Sequence, residues 1–148
     1  MREERGADGV HGVEVEEVWP RDGQIRLCLA VVGGGGARAV LVLKVRGEGG
    51  GEVRLPVDGG SGSGDGWFGA RIPLELLGAS CDVSEQVWDL YLDVGPGGGL
   101  LRLGRHLDDV VGKKKIFVYP AQLSAGVWVE PYYTVKDNLS IACRREAQ

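Results

Sequence analysis

Residues 87–94, with the sequence VWDLYLDV, alternate between the two sides of an extended chain without a break. Successive side chains of a β-strand point to opposite faces of the sheet. One face would carry Val87, Asp89, Tyr91 and Asp93, and the other Trp88, Leu90, Leu92 and Val94. The second set is entirely apolar and includes a tryptophan, which is typical of a side chain that anchors a core. The stretch therefore predicts a strand with one buried face and one polar face.

Runs of the same kind precede this strand. Alternating apolar residues at 25–31 predict a half-buried strand, and residues 37–46, apolar on both faces over their middle, indicate a central one. Pro56 favours an edge position for residues 52–57, because proline has no N–H to donate. After a strand at 13–19, Pro20-Arg21-Asp22-Gly23 predicts a hairpin turn, in which proline pre-sets the corner and glycine supplies a positive φ.

Further short runs follow. Residues 67–73 predict a strand that ends in one helical turn at 74–77, and residues 100–103 predict a hairpin partner for 87–94. The last strands are expected at 115–120, 127–135 and 139–142. The glycines at 33–36 lead into a β-branched strand rather than a helix, so they indicate a hairpin tip and not a phosphate-binding loop.

This spacing predicts an all-β protein, an antiparallel β-sandwich of immunoglobulin-like or jelly-roll-like type with about nine or ten short strands. One sandwich domain is expected over residues 13–144, after a flexible N-terminal segment at 1–12. The length of 148 residues, with 43% hydrophobic and 26% charged residues, fits one soluble globular domain. No run is apolar enough for a membrane span, and the charged N-terminus lacks the apolar segment of a signal peptide, so a cytoplasmic location is expected.

The net charge of −4 is unevenly distributed. Residues 1–100 carry 9 basic and 16 acidic side chains, and residues 101–148 carry 8 and 5. A surplus of three positive charges is too weak for a nucleic-acid-binding surface, but it could serve one anionic ligand. Cys28, Cys81 and Cys143 lack metal-ligand spacing and are expected to be reduced and mostly buried.

Candidate site residues are concentrated in the segment 104–115. It contains Arg105, His106, Asp108, Asp109 and Lys113, and its cations could surround a phosphate or a carboxylate. The adjacent carboxylates would point in different directions, which disfavours an acid/base pair, and a metal at His106 would lack further ligands. We therefore predict neither a metal nor a cofactor. The serines at 61 and 63 lie in a glycine-rich repeat and not in a nucleophile elbow, so a catalytic triad is disfavoured.

A second group of candidates follows at Tyr132, Tyr133 and Asn138. Neighbouring residues on a strand face opposite sides, so one tyrosine is expected in the core and the other at the surface. An exposed tyrosine near Asn138 could contact a sugar or another polar ligand, or it could only pair across strands.

Residues 86–142, in the order WDLYL, LRLGRHLDD, KKKIFVYP and PYYTVKDNLS, resemble the C-terminal accessory region of actinobacterial glycosyltransferases and of proteins similar to CDP-glycerol glycerophosphotransferases. In that family the transfer reaction belongs to a separate nucleotide-sugar or CDP-glycerol domain. The resemblance therefore implies only the accessory β-sandwich. The positions that match are Arg105, His106, Asp108, Asp109, Tyr132, Tyr133 and Asn138.

Three functions are compatible with these patterns. The first is a non-catalytic binding or accessory module that contacts a saccharide, a polyol-phosphate polymer or a partner transferase, with no nucleic-acid partner. The second is a small enzyme that uses His106 with Asp108 or Asp109 in acid/base or metal-assisted chemistry. The third is a structural interaction domain whose free strand edges pair with another chain.

Overall fold

The computed structural model describes residues 10–33, 39–47, 51–58, 67–79, 85–95, 99–105 and 118–146. Within these ranges it has ten strands and one short helix. They are β1 (Val10–Arg21), β2 (Gln24–Gly33), β3 (Val40–Val45), β4 (Glu52–Pro56), β5 (Trp67–Pro73), α1 (Leu74–Ala79), β6 (Glu85–Asp93), β7 (Leu100–Gly104), β8 (Gln122–Ser124), β9 (Val127–Tyr133) and β10 (Leu139–Arg145). The prediction of an all-β, sandwich-like domain is confirmed.

The first sheet has the order β5-β2-β1 and is antiparallel. Asp22 and Gly23 turn the chain between β1 and β2 with φ values of 57° and 77°. Two consecutive positive φ values match the right-handed twist of a hairpin. The turn therefore lies at Asp22 and Gly23. Pro20 was expected at its corner, but it pairs with Ile25 inside the hairpin.

A β-bulge interrupts β1. The pairing with β2 shifts between Val15 and Glu17, so that one extra residue of β1 lies in the ladder. In a regular strand Val18, three residues after Val15, would point to the opposite face. The bulge restores the inward direction, and both valines are buried.

The second sheet has the order β4-β3-β6-β10-β9-β8, with all neighbours antiparallel. β3 lies between β4 and β6, which confirms the central position predicted for it. Leu41, Val42 and Leu43 are fully buried although they alternate in direction, since both faces of this strand are covered. In the described chain β4 pairs with β3 alone, as Pro56 predicted for an edge strand.

Strand β7 joins the two sheets. Its first residues, 100–102, pair antiparallel with residues 91–93 of β6, as the predicted hairpin requires. Leu103 and Gly104 pair instead with Val13 and Glu14 of β1, and this pair is parallel. The predicted antiparallel sandwich thus contains one parallel pair, at the point where β7 passes from one layer to the other.

One hydrophobic core fills the space between the layers. Trp88, Leu90 and Leu92 are between 0% and 1% exposed, which confirms the buried face predicted for β6. Helix α1 begins directly after Pro73 and covers one end of the core with Leu74 and Leu77, whose i, i+3 spacing places both on the same side.

Four further predictions have mixed outcomes. β1 begins at Val10, three residues before the expected domain start at Val13. Residues 118–120 are not in a strand, and the remainder of the strand predicted at 115–120 lies outside the described residues. Cys28 and Cys143 are free thiols, the first half-buried and the second buried, whereas Cys81 lies outside the described part. No helix in the described part of the chain is long and apolar enough to cross a membrane.

Candidate functional site

The outer face of the second sheet carries a row of polar side chains across neighbouring strands. Strand pairing places Tyr132 of β9 beside Ser140 of β10, Ser140 beside Asp89 of β6, and Asp89 beside Lys44 of β3. These residues are far apart in the sequence. The register alone brings them together on one surface.

Two arginines converge on Asp89 in this row. Arg46 follows the end of β3 and donates from Nη2 and Nε to the two carboxylate oxygens, at 2.7 and 3.2 Å. Arg102 of β7 donates from Nη2 to Oδ1 at 2.9 Å. The hydroxyl of Ser140 donates to the same oxygen at 2.8 Å and accepts from both arginines at 2.9 and 3.3 Å. Asp89 of β6 therefore connects side chains from β7, β10 and the end of β3 in one hydrogen-bond network.

Arg102 has a further structural role. β10 pairs with residues 85–89 of β6 and β7 with residues 91–93, so Leu90 lies where one neighbour ends and the other begins. The Nη1 group of Arg102 donates to the carbonyl oxygen of Leu90 at 3.2 Å and to that of Leu139 at 2.6 Å. One guanidinium thus donates to two backbone carbonyls at this junction.

The electrostatics of the network follow from burial and charge. Burial opposes ionisation of Asp89, but hydrogen bonds from Arg46 and Ser140 and the charge of Arg102 outweigh it, and the pKa of Asp89 is lowered. Burial also lowers the pKa of Arg102. The pKa of Arg46 is raised, first by its hydrogen bond to Asp89 and more weakly by the Tyr132 phenol beside it. Both guanidinium groups stay charged in any ordinary buffer.

Cations outnumber carboxylates around Asp89. Lys44 and Arg102 lie over the Tyr91 ring, at 5.9 and 5.4 Å from its centroid, and strand pairing places Lys44 between Asp89 and Glu52. The side chain of Arg46 is 50% exposed, whereas those of Arg102 and Asp89 are 21% and 16% exposed. Arg46 is accordingly the part of the network that a molecule in solution can reach.

Arg54 provides the opposite arrangement on the same face. It donates to Glu52 at 2.7 Å and to Asp93 at 2.9 Å, so that one arginine faces two carboxylates. An added anion would meet a positive surplus beside Arg46 and a negative one beside Arg54. We call the surface formed by Lys44, Arg46 and Tyr132 the Arg46 surface.

The candidate residues predicted from the sequence do not form one group. Tyr132 belongs to the Arg46 surface. Arg105, Tyr133 and Asn138 lie together at the end of β7 and the β9–β10 turn, where Gly104 bridges Asn138 and the Arg105 N–H donates to the Asp137 carbonyl at 3.0 Å. His106, Asp108, Asp109 and Lys113 lie outside the described residues.

Tyr133 is the tyrosine that enters the core, as one of the pair was expected to do. It is 1% exposed, and its ring lies 6.2 Å from that of Tyr119 between centroids. Burial, together with Tyr119, raises its pKa, and the positive charge of Arg105 opposes the shift. Tyr133 was predicted to bind a ligand, but its burial leaves it unavailable to a molecule at the surface.

Arg105 and Asn138 have visible structural contacts. Arg105 donates from Nη1 to the carbonyl oxygen of Glu16, the residue that the bulge adds to β1, at 3.3 Å. In the β9–β10 turn the Thr134 hydroxyl accepts from the Asn138 N–H at 3.2 Å, and the Thr134 N–H donates to the Asn138 carbonyl at 2.8 Å. Both residues therefore hold the junction between β1, β7 and the turn.

The residues that were missed had only partial signals in the sequence. Asp89 was placed on a polar face, and Arg102 is a single cation within an apolar run. Neither pattern indicates that Arg46 and Ser140, which are 43 and 51 positions from Asp89, meet the same carboxylate. Across the described ranges no group of three or more His, Cys, Asp or Glu side chains could hold a metal ion.

Comparisons with known proteins support the fold. No protein-family model matches the sequence. No curated protein matches it either. Among solved structures, the chain is similar to a fragment of Staphylococcus aureus TarS spanning its residues 217–571, with a TM-score of 0.63 and 17% identity over 92% of this chain and 39% of the fragment. A second TarS structure gives a TM-score of 0.64 and 18% identity over 91% of this chain and 25% of that one.

TarS is a teichoic acid glycosyltransferase. This chain spans less than half the length of either TarS structure that it matches. At this level of identity the similarity concerns the fold, which is therefore one that also occurs as part of a glycosyltransferase.

Proposed function

We propose that the chain is a non-catalytic accessory domain of a glycan-polymer transferase system, and that the Arg46 surface contacts a polyol-phosphate polymer. The observation that carries the proposal is the exposed guanidinium of Arg46 in a group where two arginines share one carboxylate. Arginine presents a planar fork of donors that matches the oxygens of a phosphate.

The charge of the whole chain makes this local surplus meaningful. With a net charge of −4, the protein as a whole repels a polyanion. Any affinity for a phosphodiester chain must then come from a local arrangement of cations. Arg46 and Lys44 form such an arrangement, with the Tyr132 hydroxyl as an additional polar group.

The fold is in accord with this function, since TarS contains a segment of the same fold. The family resemblance of residues 86–142 points to the same class of accessory domain. Within the proposal, the candidates predicted from the sequence, Arg105, His106, Asp108, Asp109, Lys113 and Asn138, are further contact residues for the polymer or a partner transferase.

Titration calorimetry with a soluble poly(glycerol phosphate) oligomer tests the proposal. The wild-type domain should bind with an affinity that falls as salt is added, because the contact is ionic. Arg46→Ala should weaken binding about tenfold, the loss expected for one charge-assisted hydrogen-bonding group. Arg54→Ala is the matched control: it removes the same side chain from the same face, but from a place with a carboxylate surplus, and should not weaken binding.

Equal losses in the two variants would show that only the overall charge matters, and the assigned surface would be wrong. Absence of binding by the folded wild-type domain at low salt would contradict the proposed function itself.

A further inference from the structure

The outer face of the first sheet carries an open groove of about 660 Å³ that none of the candidate residues above line. Its shape follows from the register of three strands. One row across the sheet is Glu17 of β1, Cys28 of β2 and Gly69 of β5, and the next row begins with Trp19 and Arg26. The first row therefore ends in two small residues, while the second begins with a large ring.

Gly69 leaves the base of the groove open. Its neighbours Phe68 and Ala70 point into the core, so a side chain at 69 would point outward into the groove. A Cβ added there would meet only the Leu27 carbonyl oxygen, at 3.9 Å. Within the described part of the chain no other atom fills this space, and the groove is large enough for a sugar ring.

Trp19 forms one wall of the groove and is held in place. It is 49% exposed, the largest exposed aromatic side chain in the described part of the chain. Its indole N–H donates to Glu17 Oε1 at 2.9 Å, which fixes the orientation of the ring. Because the polar atom of the indole is already bonded, the ring face is what remains available for contact.

The charges around the groove are balanced. Glu17 and Asp22 face Arg21 and Arg26 along its lining, and Arg21 pairs with Asp22 at 3.4 Å. Just outside the lining, Arg71 lies beside Arg26, while Glu16 and Asp58 lie beside Cys28 and Gly69, so no surplus of positive charge arises. Burial, followed by the charges of Glu17 and Glu16, raises the pKa of Cys28, so the base is a neutral thiol. A polyanion gains nothing from such a lining, whereas a neutral ligand with many hydroxyl groups meets donors and acceptors on every side.

We propose that this groove binds a neutral saccharide, with one sugar ring stacked on Trp19 and its hydroxyl groups bonded by Glu17, Gln24 and Arg26. A pyranose has an apolar C–H face and a polar rim, the combination that an aromatic ring surrounded by hydrogen-bonding side chains accommodates. The inference concerns the sheet opposite to the Arg46 surface and does not rest on the proposed function.

Two-dimensional ¹⁵N–¹H NMR titrations with maltotriose, cellotriose and triacetylchitotriose test the inference. The Trp19 indole N–H signal, assigned by its loss in Trp19→Ala, should shift in a saturable manner with at least one trisaccharide. Trp19→Ala and Gly69→Val should each weaken binding about tenfold, the first by removing the stacking ring and the second by filling the groove. Leu123→Ala, which changes an exposed apolar residue of β8, should bind as the wild type does.

Two results would overturn the inference. The first is that none of the three sugars shifts the Trp19 signal at tens of millimolar. The second is that binding persists unchanged in both Trp19→Ala and Gly69→Val, which would place the sugar elsewhere. Since Gly69→Val retains Trp19, it also separates a lost stacking contact from a general effect of the tryptophan substitution.

Discussion

The two outer faces of the molecule carry similar residues but expose different chemistry. On the second sheet, Arg46 and Arg102 share one carboxylate, and the surplus positive charge stays partly exposed at Arg46. On the first sheet, Arg21 and Arg26 are balanced by acidic neighbours, and the exposed feature is the ring of Trp19 above Gly69. The chemistry of each face thus depends less on which residues it contains than on which of them the strand register makes neighbours.

The two faces also differ in how much the fold depends on their side chains. The network around Asp89 covers the place where β7 leaves one sheet for the other, so part of its binding chemistry is also part of the fold. The Trp19 groove lies where β1, β2 and β5 pair beyond the bulge, and it is built from exposed and half-buried residues. Substitutions should therefore cost stability on the second sheet and little on the first.

Replacement of Arg102 should have the largest effect. Arg102→Ala removes donors from two backbone carbonyls, Asp89 and Ser140 at once, and we expect a loss of about 3 kcal/mol in the free energy of unfolding. Arg102→Lys should recover only part of it, because a lysine ammonium cannot reach all four acceptors. Urea denaturation followed by circular dichroism measures both. Arg54→Ala, an exposed arginine of the same sheet, is the control and should change the unfolding free energy little. If Arg102→Ala is no more destabilising than that control, the junction does not depend on this side chain.

Asp89→Asn should have an intermediate effect that depends on pH. The folded state lowers the pKa of Asp89, so its contribution is fully present above the pKa of the unfolded chain, near pH 4, and is lost as pH falls through the lower folded-state value. At neutral pH the substitution should cost about 2 kcal/mol. Below pH 4 the difference between the two proteins should shrink. Urea denaturation at a series of pH values measures the gap, and a gap that stays constant through the acid range would show that Asp89 is not the group responsible.

Gly69→Val should have the smallest effect on stability. The added side chain points to open space, Gly69 does not have the positive φ that would penalise a substitution, and valine favours extended strands. The free energy of unfolding should change by less than about 1 kcal/mol, in either direction. Thermal denaturation gives this value. A strong destabilisation would mean that the groove is not open at its base.

Local patterns predicted much of the fold. Alternation placed Trp88 in the core, apolar residues on both faces made β3 central, and Pro56 indicated an edge. Three features escaped these patterns: the bulge in β1, the position of Pro20 inside the hairpin, and the passage of β7 between the sheets. Each depends on how one strand meets another, which periodicity within a single strand does not encode.

The candidate site was harder to predict for the same reason. Because adjacent residues alternate, one tyrosine of the pair 132 and 133 was expected at the surface and the other in the core, but the rule did not say which. Arg46, Asp89 and Arg102 come from separate strands, and their meeting follows from the order and register of the second sheet. The Trp19 groove likewise requires the alignment of β1, β2 and β5 at Gly69.

The central claim is that the two outer faces recognise different chemistry, and one pair of NMR titrations on the same ¹⁵N-labelled domain tests it most directly. With poly(glycerol phosphate), shifts should be confined to the neighbourhood of Lys44, Arg46 and Tyr132. With the neutral trisaccharide that binds best, they should be confined to Trp19, Cys28 and Gly69. If both ligands shift the same face, or the polyanion shifts the Trp19 groove and leaves Arg46 unchanged, the division of the molecule into an anion-binding and a sugar-binding face is contradicted.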